Sequence, residues 1–314
     1  PNPGFDAVVG NPPYGYRVTS DIDSFMDSKV GKAQSENIAE YFIETTISKL
    51  KDEKNWGMII PKQVLHTPTW KDVRRTLHGK STYAKAVVDC SEAFRDVLLE
   101  QVVVVLTDKE EPAVKVGIGH KTGVDDSFSI SSGKLTEALW PIYAFNEYEG
   151  LFEKVHSASE LLGDIADIYF GIKNVKSDLT EETGLPIVTG DNITRYGVTG
   201  SLLCLPQNKI TDRHRKRYLV DKIVVQRIVA HVTRPQPHII VMASIDRKDR
   251  LAFDTATVVR SKKKDYVDEY ILSIINSRFA GWYLHRFVYN FSTRTMGFRD
   301  GFADKLPIRQ IPFT

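Results

Sequence analysis

Apolar positions run almost unbroken through "FDAVVG" (5–10) and then stop at Asn11-Pro12-Pro13-Tyr14. A short apolar run that breaks at a turn signal predicts a buried strand. The next segment, "SENIAEYFIETTISKLK" (35–51), spaces Ile38, Phe42, Ile43, Ile47 and Leu50 near a helical period, with Ser35 placed to cap it. It predicts a helix. "WGMIIP" (56–61) reads as a second strand, and a short helix around Trp70, Val73 and Leu77 ends at Gly79. "AKAVVD" (84–89) and "QVVVVLT" (101–107) follow as strands, the latter apolar enough to be central. Strand alternating with helix in this way is the pattern of half a doubly wound α/β sheet.

Beyond residue 110 the pattern changes. "KVGIGHKTGVDDSFSISSGKL" alternates like an edge strand with loops, and "FNEYEGLFEKVHSASELLGDI" reads as a helix and turn leading into a second domain. The boundary is expected near 145, giving domains 1–145 and 146–314. The second mixes short strands, such as "DKIVVQRIV" and "HIIVMAS", with one strong helix on which Val267, Ile271, Ile274, Ile275 and Trp282 form a core stripe. Gly171 and Gly190 read as turn residues.

A chain of 314 residues with this apolar content can bury two cores of ordinary size. No window approaches the roughly 20 consecutive apolar residues of a membrane helix. The opening "PNPGFDAV" has neither a signal-peptide core nor a basic leader, so the expected location is cytoplasmic. The two cysteines, Cys90 and Cys204, are far apart and read as buried small residues. The eight histidines show no ligand spacing, so no metal site is expected. The net charge of +2 conceals basic runs at 211–222, 234–250 and 258–266, but acidic residues interrupt them. Such runs are solvated faces as readily as phosphate contacts and do not identify a nucleic-acid partner by themselves.

The chemistry concentrates at residues 11–14. Proline donates nothing to a sheet ladder and pushes the preceding residue towards extended geometry, so Asn11-Pro12-Pro13 must leave the sheet as a stiff turn. That turn fixes the Asn11 side chain, the Pro12 carbonyl and the Tyr14 ring together, two polar acceptors beside a flat stacking surface. Nearby polar residues have plainer readings. Asp6 is an edge or capping residue, Asp89 a polar strand end, and Lys62 a solvated lysine or one facing the cleft. "KDEKN" (51–55) is a solvated turn closing a helix rather than a nuclease motif.

"FDAVVGNPPYG", the helix with "EYF", "WGMIIPKQVL", "WKDVRRTL" and "VVDCSEAFRDVLLEQVVVVL" together resemble the second half of the catalytic domain of DNA adenine methyltransferases. The similarity is strongest to those of the combined type II restriction-modification kind. "LGDIADIYFGIKNVK", "PIVTGDNITRYGV", "YILSIINSRFAGWYLHRF" and "DKLPIRQIP" are similar to the target-recognition domain of that family. The resemblance implies a partial doubly wound methyltransferase sheet followed by an α/β target-recognition domain. It implies catalytic roles for Asn11, Pro12, Pro13 and Tyr14 on the exocyclic amine of a flipped adenine, and a place for Phe94 in the target-base pocket. S-adenosylmethionine is the implied cofactor. Its glycine-rich loop does not occur in this sequence, so the upstream remainder of the same polypeptide is an expected partner, and this portion is expected to be inactive alone. Double-stranded DNA is the other expected partner, with Lys173, Asn174, Asn192, Arg195, Arg227, Arg234 and Arg294 as loop candidates for contacting it. A non-catalytic specificity module, or a methyltransferase acting on RNA or on protein glutamine, shares the Asn-Pro-Pro-Tyr signature or the recognition-like half and is the alternative.

Overall fold

The computed structural model describes residues 4–15, 20–30, 37–79, 81–91, 93–94, 99–120, 123–247, 249–293 and 296–311. Ser35 and Arg294 lie outside them. The described chain separates into two compact units, 1–152 and 153–314.

The first unit is built on strands β1 (Phe5–Gly10), β2 (Leu50–Pro61), β3 (Tyr83–Ser91), β4 (Gln101–Thr107), β5 (Ala113–His120) and β6 (Gly123–Ser131). Helices α1 (Ser20–Val30) and α2 (Ala39–Ile47) lie between β1 and β2, α3 (Lys71–Leu77) lies between β2 and β3, and α4 (Glu147–Ser157) follows β6. The six strands form one mixed sheet in the order β1-β2-β4-β3-β5-β6. The central place of β4 follows from its run of valines, buried on one face and half-buried on the other. It lies antiparallel to β2 and to β3, while β1 runs parallel to β2. Strands β1, β2 and β3 therefore point the same way, and their carboxyl ends meet the start of β4 along one margin.

Three expectations need correction here. The first strand is not buried: it forms the sheet's edge, with Phe5 58 % and Val9 84 % exposed, because only β2 pairs with it. Of the helix expected over 35–51, the described residues from 37 on form one over 39–47. Its buried face is Ala39, Glu40, Tyr41 and Ile43, and Phe42 is exposed. Residues 51–55 are not a turn but the first half of β2, where the ladder slips from Phe5↔Leu50 to Ala7↔Asn55, so that a bulge at the sheet edge takes up the polar stretch.

The second unit contains β7 (Ser159–Leu161), α5 (Leu162–Ile165), β8 (Ala166–Phe170), β9 (Leu185–Val188), β10 (Ile193–Thr194), β11 (Gly197–Val198), β12 (Leu203–Leu205) and α6 (Asp212–Tyr218). There follow β13 (Asp221–Gln226), β14 (Ala230–Val232), β15 (His238–Ile240), β16 (Ala243–Arg247), β17 (Leu251–Ala252), β18 (Ala256–Ser261), α7 (Asp268–Ile275), α8 (Arg278–Tyr283) and β19 (Pro307–Arg309). An antiparallel sheet β16-β13-β18-β8 and a smaller sheet β12-β9-β17 enclose a core of Ile187, Val224, Leu251 and Val258. Gly171 is required there, because any β-carbon would meet the Phe253 carbonyl at 2.1 Å. The single long helix expected around 267–282 is two short ones. Ser277 caps α8 by accepting the Ala280 amide, and Val267, expected in the core stripe, is exposed. No helix among the described residues is long and apolar enough to cross a membrane.

One buried cation ties loops of the first unit together. The Arg74 guanidinium, on α3 and 1 % exposed, donates to the carbonyls of Val64 and Thr67 on one side and of Glu137 and Ala138 on the other. Arg74→Met strands those acceptors and is expected to destabilise the first unit by about 3 kcal/mol, a melting temperature lower by roughly 6–12 °C in a thermal unfolding scan. An unchanged midpoint would show that water replaces the guanidinium at no cost.

Candidate active site

The margin where β1, β2 and β3 end collects the chemistry-bearing side chains. β1 stops at Gly10, paired with Met58, and the chain leaves the sheet through exposed Asn11, buried Pro12, exposed Pro13 and half-buried Tyr14. Gly15 completes the turn at φ +129°, a conformation side chains disfavour, and its carbonyl accepts the Ile38 amide at the entry to α2. The Tyr14 hydroxyl lies 2.6 Å from Asn11 Oδ1 and 2.9 Å from the carbonyl of Ile59 on β2. It has one proton for two acceptors. Donated to Asn11, that proton covers the amide oxygen; donated to Ile59, it leaves the oxygen open beside the ring.

The ends of β2, β3 and β4 meet behind this turn, with Gln101 opposite both Pro61 and Ser91. Lys62 and Asp89 are buried here and lie 2.7 Å apart, contrary to the plainer readings of a solvated lysine and a simple polar strand end. Glu100 Oε1 is 3.4 Å from the same ammonium. Phe94 sits just past β3 and is 38 % exposed, and the Ala93 amide beside it donates to Gln101 Oε1 at 3.1 Å. Cys90, on β3, is a free thiol, half-buried rather than buried like the small core residue expected; so is Cys204. Asp6 is exposed on the edge strand and paired with Lys51.

The loop candidates of the second unit divide by what already holds them. Lys173 and Arg227 converge on one ring, their charged ends 4.6 Å and 5.4 Å from the centroid of Phe170. Arg227 also pairs with Asp254 at 2.5 Å. Asn174 is exposed in a left-handed turn, φ +60°. Arg195 is exposed at the β10–β11 turn beside Tyr196, an exposed aromatic that the sequence did not single out, and Arg234 is exposed on the separate β14–β15 hairpin. Asn192 is different. Its amide oxygen accepts from the Thr189 backbone and hydroxyl, and its nitrogen reaches the carbonyls of Thr199 and Ser201. Both edges of that side chain are spent inside its own loop.

Residues 1–94 match the Eco57I restriction-modification methylase family, and residues 185–308 match the TaqI-like C-terminal specificity domain. The two matches fall on separate stretches of the chain, one similar to a restriction-modification methylase and the other to a specificity domain. No curated protein sequence matches it. The structure is similar to the type IIL restriction-modification enzyme MmeI, solved in complex with DNA, at 9 % identity and a TM-score of 0.52, over 90 % of this chain and 46 % of that one. The type IIG restriction endonuclease BpuSI aligns over 97 % of this chain and 47 % of its own length, at 14 % identity and a TM-score of 0.41. The chain spans about half the length of those solved structures, and the MmeI likeness is one of fold. Within it, the matched methylase residues include the whole Asn11–Tyr14 turn, and the matched specificity residues include Asn192, Arg195, Arg227 and Arg234.

Burial holds the Tyr14 hydroxyl protonated, with the Cys90 thiol adding a smaller push, so its pKa rises from 10.0 to about 12. The unfolded phenol ionises first. Stability drawn from the protonated ring is therefore whole below pH 10 and is lost as pH rises through 12. A difference titration of phenolate absorbance, wild type minus Tyr14→Phe, is expected to show one group ionising near 12. Ionisation near 10 would place the ring in open solvent.

Proposed function

We propose that this chain supplies the target-base pocket and the recognition domain of a site-specific DNA methyltransferase, which methylates the exocyclic amine of an adenine turned out of the duplex. The observation that carries this reading is the Asn11–Tyr14 turn, rigid by its prolines and set at the carboxyl margin of the sheet, where α/β proteins bind ligands. Turning a base out costs a few kcal/mol. Stacking on Tyr14 returns roughly 1–3 kcal/mol, and Phe94 closes the pocket from a second side.

The adenine amine is a weak nucleophile because its lone pair is delocalised into the ring. Two hydrogen bonds, accepted by Asn11 Oδ1 and the Pro12 carbonyl, favour a pyramidal nitrogen whose lone pair is free to attack. The Tyr14 hydroxyl fits this role. Without a base it satisfies Asn11 Oδ1, and as the amine arrives it turns to Ile59, so the acceptor is neither stranded nor blocked.

S-adenosylmethionine is the methyl donor in this reading. The described residues do not fit it as a complete site: the strand beside the turn, β1, has an open edge and exposed Phe5 and Val9 rather than a nest of amides with a ribose-binding carboxylate. We assign the donor site to the upstream remainder of the same polypeptide, paired along β1. In the specificity domain, Lys173, Arg195 and Arg234 are the exposed cations for DNA, and Arg227 serves chiefly to fix the Phe170 loop. The specificity-domain match favours DNA over RNA or protein as substrate.

The test is transfer of labelled methyl to duplex DNA by the uninterrupted natural polypeptide, its Asn11→Ala variant and this 314-residue chain in parallel. The long form is expected to label DNA, Asn11→Ala to lose about a hundredfold or more in rate, and the short chain to be inert. DNA affinity of the variant should stay within a few-fold. An Asn11→Ala polypeptide that methylates normally would reduce the turn to scaffold and the chain to a binding module.

A further inference from the structure

Lys62 follows Pro61 at the end of β2 and is 2 % exposed. Its ammonium meets Asp89 Oδ2 at 2.7 Å and Glu100 Oε1 at 3.4 Å, while its backbone amide donates to the Glu100 carbonyl at 2.8 Å. Asp89 is fully buried and held from two further sides, Oδ2 accepting the Tyr143 hydroxyl at 2.7 Å and Oδ1 the Ser91 amide at 2.9 Å. Burying one cation between two carboxylates is expensive, and an apolar packing of equal volume usually does as well for stability. The placement points to another use. Asp89 and Glu100 are the two stems of the segment that carries Phe94, so a single side chain clasps both ends of it. The same ammonium sits three residues beyond Ile59, whose carbonyl takes the Tyr14 hydroxyl.

We propose that Lys62 is a positioning residue for the target base: through Asp89 and Glu100 it sets the Phe94 segment against the Asn11–Tyr14 turn, so that a flipped base meets both rings at once. This rests on the reading of that turn as the target-base site. Lys62 itself touches neither base nor donor. Its effect on rate passes through Phe94, which distinguishes it from a residue that only holds the sheet together.

The test is a double-mutant cycle in the full natural polypeptide, with kcat and KM for duplex methylation measured for Lys62→Met, Phe94→Ala and the pair, alongside Asn11→Ala and a thermal scan of each. Lys62→Met is expected to lower kcat about tenfold or more with KM for DNA within about threefold, and Phe94→Ala to lower kcat similarly. The pair should be no slower than Phe94→Ala alone, within about twofold, because the clasp has nothing left to position. Should Lys62→Met not fold, Asp89→Asn, which keeps the size and part of the hydrogen bonding, enters the same cycle. Losses that multiply in folded proteins, or Lys62→Met at wild-type rate, overturn the positioning role while an inactive Asn11→Ala keeps the base-site reading. An active Asn11→Ala overturns both.

Discussion

The direction of β4 governs the site. A strand antiparallel to both neighbours makes β2 and β3 parallel to each other, and β1, pairing with β2 in parallel, joins them. The carboxyl ends of these three strands and the amino end of β4 then lie on one margin, where Lys62, Asp89 and Glu100 become neighbours although they are distant in sequence. The ladder places Asn11 one residue past the Gly10–Met58 pair, opposite Ile59, and so brings the Tyr14 hydroxyl to that carbonyl. Were β4 parallel to both, the connection from β3 would have to cross to the opposite margin, and Glu100 would enter there, away from Asp89 and Lys62.

On that margin two groups of residues are held by different means. The Asn11–Tyr14 turn is stiff covalently, through two successive prolines. Lys62, Asp89 and Glu100 are held electrostatically, one ammonium shared by two buried carboxylates. A covalent constraint leaves a signature in sequence, and an electrostatic one does not. The Tyr14 hydroxyl links the two, since its second acceptor, the Ile59 carbonyl, belongs to the strand that ends just before Lys62.

That difference explains what was legible. The prolines announced the turn, the valine run of β4 announced the central strand, and the resemblance read from "FDAVVGNPPYG" and from the recognition-like half agrees with the Eco57I and TaqI matches. Lys62 and Asp89 were read as ordinary polar residues because pairing between strand ends distant in sequence has no local pattern. β1 was read as buried because an apolar strand looks the same at an edge as in the middle, and "KDEKN" as a turn because a bulge absorbs polar residues that local propensity assigns to loops. The long helix at 267–282 kept its periodicity across a break that only the Ser277 cap reveals. Asn192 looked like a base reader because asparagine's two edges suit adenine and a tight loop equally well.

The account stands or falls on what the Asn11–Tyr14 turn holds. The most direct measurement is nucleoside analysis by mass spectrometry of duplex DNA after incubation of the uninterrupted polypeptide with labelled S-adenosylmethionine. Label found as N6-methyladenine, at one recurring sequence, is the predicted result. Label on cytosine carbon in place of adenine, or on RNA or protein with the DNA unmodified, would contradict it.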